Sequence, residues 1–230
     1  MRALLPRAAL LAASLLVVPA RAETFKRTVS GFTKVELRVP LDVTIRPGKE
    51  SMVLDLRDAE YADKITTEVK GDTLVISSNV RSLNMRGKNT ASISVPELRG
   101  VSIAGSGDVD VSGFEQSGVV GLAISGSGDI NYSGKSAGLS VSISGSGNVK
   151  LAGSTGNLSV SIDGSGDVKA ADFPAKNASV SVNGSGDADL HVTGGAVQFA
   201  VNGSGDIRWT GEASAVSAVT HGSGSIQKKR

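Results

Sequence analysis

The chain has 230 residues, 40% of them hydrophobic and 3% aromatic, with 29 glycines and no cysteine. That excludes disulfides, thiolate metal sites and cysteine nucleophiles, and it restricts the core to a thin one of Val, Ile, Leu and Ala. The formal charge of +2 rests on Arg2, Arg7 and Arg21; without residues 1–22 the chain carries 21 cationic and 22 acidic side chains, so no nucleic-acid partner is expected.

Residues 1–22 read as a secretory signal peptide. Met1 to Arg7 is a short positive region, and Ala8 to Val18 is an apolar run too short to span a bilayer. Ala20 and Ala22 supply the small residues that a signal peptidase reads, so cleavage between Ala22 and Glu23 is expected. No later segment is long and apolar enough to span a membrane as a helix, and no C-terminal outer-membrane barrel is expected. The mature chain is placed in the periplasm, at the cell surface or outside the cell.

Residues 23–98 read as an irregular N-terminal β region. Phe32 to Val39, Leu41 to Ile45 and Met52 to Leu56 alternate apolar and polar residues, the period of a strand with one buried face. Arg46-Pro47-Gly48-Lys49 is a turn between the last two. Asp58 to Lys64 has room for one helical turn. Ile65 to Val69 and Thr73 to Ser77 flank Lys70-Gly71-Asp72, a hairpin signal. Ala91 to Val95 is the last strand before the repeats, and this region is expected to cover their first coil.

Residues 99–230 repeat. A Gly-Ser-Gly-Asp tetrad or a close variant begins at Gly105, Gly126, Gly145, Gly164, Gly184, Gly203 and Gly222, at spacings of 21, 19, 19, 20, 19 and 19. Its second glycines include Gly107, Gly128, Gly147, Gly166, Gly186 and Gly205, and its fourth position reads Asp108, Asp129, Asn148, Asp167, Asp187, Asp206 and Ser225. Apolar residues recur two and four positions before the tetrads, as in Ile143 and Val141, with Thr220 standing in before the last, and just after them, as in Val149. This period of two, with its β-branched residues and glycine density, excludes helix. The expected fold is all-β: a parallel β-helix or β-solenoid with coils of about 19–20 residues, continuous with and capped by the N-terminal β region. The alternation runs through the tetrad, which puts both glycines inward and Ser and Asp outward.

The tetrad ladder behind a signal peptide resembles the GIN domain family, the head domain ascribed to auto-transporter adhesins. The Gly31-Phe32 start, the strand before Arg46-Pro47-Gly48 and the Thr73-Leu74-Val75-Ile76 hairpin strand fit as well. The resemblance covers residues 25–226. It implies a β-helix-like fold in a bacterial envelope protein and brings no catalytic residue with it.

The aspartate column is the most suggestive chemical feature. Carboxylates stacked about 4.8 Å apart repel one another, and a bound cation could relieve that. The preferred reading is a turn device, in which Asp, Asn and Ser accept nearby backbone N–H groups; Asn148 and Ser225 fill the column without charge. No metal or cofactor is expected. Lys150, Lys169 and Arg208 share one outward column, Tyr132 and Trp209 belong to an inward one, and His191 and His221 support no catalytic grouping. The function expected is a non-enzymatic adhesin-like binding or structural module of the envelope or surface, with an envelope protein or a polysaccharide as partner and self-association left open. The alternative is a carbohydrate-active β-helix enzyme acting on an envelope or extracellular polysaccharide, which needs a cleft of clustered titratable groups.

Overall fold

The computed structural model describes residues 23–230. The expected signal peptide, with Ala20 and Ala22, lies outside the described residues; Glu23 opens the first strand. In chain order the elements are β1 (Glu23–Arg27), β2 (Lys34–Leu37), β3 (Asp42–Pro47), β4 (Ser51–Leu56), α1 (Glu60–Lys64), β5 (Ile65–Lys70), β6 (Thr73–Ser78) and β7 (Thr90–Val95). The repeats supply β8 (Gly100–Gly105), β9 (Val109–Glu115), β10 (Val119–Gly126), β11 (Ile130–Gly145), β12 (Val149–Gly164), β13 (Val168–Gly184), β14 (Ala188–Thr193), β15 (Ala196–Gly203), β16 (Asp206–Glu212), β17 (Ala215–Gly222) and β18 (Ser225–Lys228).

These strands build a two-walled β-solenoid. The strand before each tetrad lies in one wall, the tetrad turns the corner, and the strand after it lies in the other. The first wall runs β5-β6-β2-β8-β10-β11-β12-β13-β15-β17, and the second β1-β4-β7-β3-β9-β11-β12-β13-β14-β16-β18. β11, β12 and β13 each run through the second corner and serve both walls; β11 and β12 stay paired almost throughout, whereas the β12–β13 register shifts between Lys150 and Thr155. Pairing within the repeats is parallel, and along the first wall it is in register: Ile103, Ile124, Ile143, Ile162, Val182 and Val201 form one ladder.

The ladders are the core. All six of those residues are at most 2% exposed, and burying each such side chain is worth about 1.5–3 kcal/mol. The facing column of the second wall is Val111, Tyr132, Leu151, Ala170, Leu190 and Trp209, all buried. It ends on Lys228, which pairs with Trp209 across β16 and β18. The Lys228 ammonium lies 5.1 Å from the Trp209 ring centre and 3.2 Å from the Glu212 carboxylate. β17 is exposed along its whole length, and Val216 and Ala218, which continue inward columns, are uncovered.

The N-terminal strands do not stack in chain order. β2 and β3 form a coil that lies between the coil of β6 and β7 and the coil of β8 and β9. The chain therefore leaves β3, places β4 antiparallel on the far side of the slot that β7 later fills, and returns through α1 and the β5–β6 hairpin. α1 buries Tyr61 and Ala62 at that end of the stack.

The expectation that both tetrad glycines face inward holds for the second alone. Gly147 is buried, and a Cβ there would land on the Gly128 carbonyl oxygen and 2.8 Å from Ile124 Cγ2. Gly145 is half-buried with φ +135°, and its Cβ would land on the Gly126 carbonyl oxygen. That φ turns the corner and interrupts the strict alternation, so the first glycine faces along the stack rather than into the core.

Candidate functional site

The tetrads place the fourth-position residues in one column at the first corner. Each side chain there receives the backbone N–H of the next coil rather than of its own turn. Asp129 N–H donates to Asp108 Oδ1 at 2.9 Å, Asn148 N–H to Asp129 Oδ1 at 2.7 Å, and Asp167 N–H to Asn148 Oδ1 at 3.1 Å. Asp187, Asp206 and Ser225 N–H groups continue the series onto Asp167, Asp187 and Asp206, each at 2.9 Å. The tetrad's own backbone supports it: the Gly126 carbonyl accepts Ser146 N–H at 3.0 Å and Gly147 N–H at 3.2 Å. The column is thus a hydrogen-bonded seam between coils. Spacing in the sequence showed the column, but the donor lies a full coil away, beyond the range of local turn chemistry.

Charge on the seam is relieved at its C-terminal end. Arg208 lies 3.0 Å from Asp187, 2.9 Å from Asp206 and 3.8 Å from Asp189. These contacts, the Asp187 hydrogen bond first, raise the guanidinium further above its ordinary value. The Asp206 carboxyl is held below the usual carboxylate range, chiefly by the Ser225 hydroxyl at 2.8 Å and then by Ser225 N–H and Arg208. Among the described residues no group of three or more His, Asp and Glu is arranged to hold a metal ion.

Asp163 belongs to a separate ladder on the first wall, where Asn183 Nδ2 donates to Asp163 Oδ1 at 2.9 Å and Asn202 Nδ2 to Asn183 Oδ1 at 3.1 Å. His191 Nδ1 lies 2.9 Å from Thr210 Oγ1 on the second wall, and His221 is an exposed residue of β17, so the two histidines do not meet. Tyr132 and Trp209 are core residues, 1% and 6% exposed. Burial raises the Tyr132 hydroxyl above its ordinary value and the neighbouring Ser136 opposes this; the two miss hydrogen-bond geometry, leaving Tyr132 Oη without a partner.

Two outward faces remain. That of the first wall carries short polar residues over the repeats, among them Ser140, Ser142, Ser159 and Ser179, with Lys34, Glu36 and Arg99 toward its N-terminal end. It dips near the second corner in a depression of about 490 Å³ beside Val119, Asn157 and Asn177. The second wall is polar and charged, with a depression of about 500 Å³ between Arg46 and Lys150. Sequence reasoning placed Lys150 and Lys169 on that face but missed Arg46, because only the insertion of β3 between β7 and β9 brings it there. Among the described residues no helix is long and apolar enough to cross a membrane.

The fold has solved relatives. One, a "putative adhesin" of Bacteroides fragilis, is 25% identical, with a TM-score of 0.79 over 91% of this chain and 97% of its own. Another, a "putative lipid binding protein" of Parabacteroides distasonis, is 24% identical, with a TM-score of 0.70 over 91% of this chain and 97% of its own. A third, a "putative adhesin" of Parabacteroides merdae, is 18% identical, with a TM-score of 0.68 and the same coverage. The last two likenesses carry the fold alone. No curated protein matches the chain. Residues 31–213 match the family described as "Putative auto-transporter adhesin, head GIN domain", and the chain belongs to that family.

Proposed function

We propose that the chain is exported and works at the envelope or cell surface as a non-catalytic binding module of adhesin type. One observation carries the reading: the stack presents two broad exposed faces, and the depressions described on them hold a single carboxylate, Asp110, not a facing pair. The carboxylates of Asp187, Asp189 and Asp206 are held by Arg208. General acid–base chemistry on a polysaccharide needs an acid and a base that face a substrate, and these face a guanidinium. Adhesin-like binding agrees with the family and with the fold's relatives. In this reading residues 23–98 and 99–230 act as one body, since β2 and β3 pair with the first repeat strands.

Two measurements test the proposal. Intact mass of the protein from its native envelope should begin at Glu23; a mature chain retaining Met1 in the cytosol would overturn export. Cells lacking the chain should be retained less on surfaces than cells complemented with it, and equal retention would overturn the adhesin role.

A further inference from the structure

We propose that the depression on the second wall binds a carboxylate-bearing oligosaccharide. This deepens the adhesin reading and rests on it. Strand pairing sets residues of four coils on one grid. Thr44 and Arg46 lie beside Asp110 and Ser112, then Asn131 and Ser133, then Lys150 and Ala152. Arg46 and Lys150 stand at opposite corners, three strand spacings apart, or about 14 Å of backbone. Neither makes an ion pair with another described residue. Lys169 follows Lys150 in register, so two ammonium groups stand in adjacent coils without a carboxylate between them.

The floor between these cations is low and polar. Ser112, Ser133 and Ala152 leave room for a ring to lie flat, and Arg46 Nη1 is steered over it by its bond to Ser112 Oγ at 2.8 Å. At the centre Asn131 Nδ2 donates to Asp110 Oδ1 at 2.9 Å, which leaves Asp110 Oδ2 and Asn131 Oδ1 free as acceptors. This arrangement selects its ligand by charge spacing. A guanidinium fork suits a planar carboxylate, and the ammonium pair accepts a second. Asp110 between them repels a compact polyanion such as a polyphosphate but accepts the sugar hydroxyls that lie between separated carboxylates. A uronate-containing disaccharide or trisaccharide has that pattern: separated carboxylates with hydroxyls between.

The test is anisotropy of end-labelled trigalacturonate with the mature protein, beside neutral maltotriose and tripolyphosphate. Trigalacturonate should bind most tightly. R46Q and K150Q should each weaken it about tenfold, the loss of one charge-assisted hydrogen bond, whereas K88Q, in the basic loop between β6 and β7, should leave it unchanged. Asp110→Ala decides between recognition and plain electrostatics. Removing a negative charge should tighten binding of any polyanion held by charge alone, whereas loss of the hydroxyl acceptor weakens trigalacturonate. All four positions are exposed, and matching melting temperatures check that the variants fold. Tighter binding by Asp110→Ala, tripolyphosphate binding as tightly as trigalacturonate, or equal losses with K88Q would each overturn the proposal. Surface retention that survives R46Q and K150Q would overturn this site and leave the adhesin reading standing.

Discussion

Gly147→Ala is the sharpest test of how the coils stack. The backbone at Gly147 has no left-handed φ, so alanine is not strained there by its dihedrals; the cost is contact. The added methyl would meet the Gly128 carbonyl oxygen and stand 2.8 Å from Ile124 Cγ2. Ile124 is wedged in a ladder and Gly128 is part of the neighbouring corner, so neither yields without parting two coils. Overpacking of this kind costs about 1–3 kcal/mol. Parting the coils also stretches the Gly147 N–H bond to Gly126 and the Asn148 N–H bond to Asp129, each worth about 1 kcal/mol. A loss near 3 kcal/mol lowers the melting temperature of a chain this size by about 6–12 °C. Ser146→Ala, one residue away on the exposed side, should stay within about 0.5 kcal/mol of the parent. Urea unfolding followed by circular dichroism gives both values, and an unchanged m-value shows that the same surface unfolds. Equal midpoints for the two variants would show that the second glycine does not sit in the contact described.

Asp167→Asn should be nearly neutral, because the amide oxygen can still accept the Asp187 N–H, whereas Asp167→Leu should lose about 1 kcal/mol; equal losses would remove the seam's role. Melting with a chelator and with millimolar calcium should agree within about 2 °C, and a large calcium-dependent rise abolished by Asp167→Asn would restore a metal site. The Asp206 carboxyl is lowered in the folded chain, so its contribution is present above the unfolded value near 4 and is lost as pH falls through the lower folded one. Acid titration of stability should accordingly be steeper in the parent than in Asp206→Asn, and parallel curves would contradict this. Lys228→Val replaces an inward-pointing charge at the exposed last coil with a core residue, removing a common guard against edge-to-edge pairing. The variant should self-associate at lower concentration in sedimentation, and identical profiles would refute the guarding role.

Most of the wall structure was legible because alternation and a fixed period are local properties that survive in the sequence. Val141, Ile143 and Val149 announce their burial by spacing alone. Three features were not legible. The insertion of β2 and β3 between β6/β7 and β8/β9 is a choice of pairing partners far apart in the chain, and the strands' own patterns suit any neighbour. The turn of Gly145 along the stack needed its φ, which parity cannot supply. Arg46 reads as a turn residue beside Pro47 and Gly48; only the crossover sets it opposite Lys150. The acceptors of the aspartate seam were recognised by residue type, while their donors, a coil away, depend on the register.

The stacking order also decides how the molecule bears load. β1 lies at one end of the stack and β18 at the other, so tension between the chain's two ends runs along the stack, in line with the hydrogen bonds that join coils. Those bonds are then loaded one interface at a time, as in a zipper, rather than sheared together. The outermost strands, β1 and the exposed β17 coil, each with neighbours on one side only, give way before the inner coils. A released coil of 19 residues pulled straight adds about 65 Å of length. A chain built this way yields in steps under traction, lengthening as it goes, while the inner coils keep their shape.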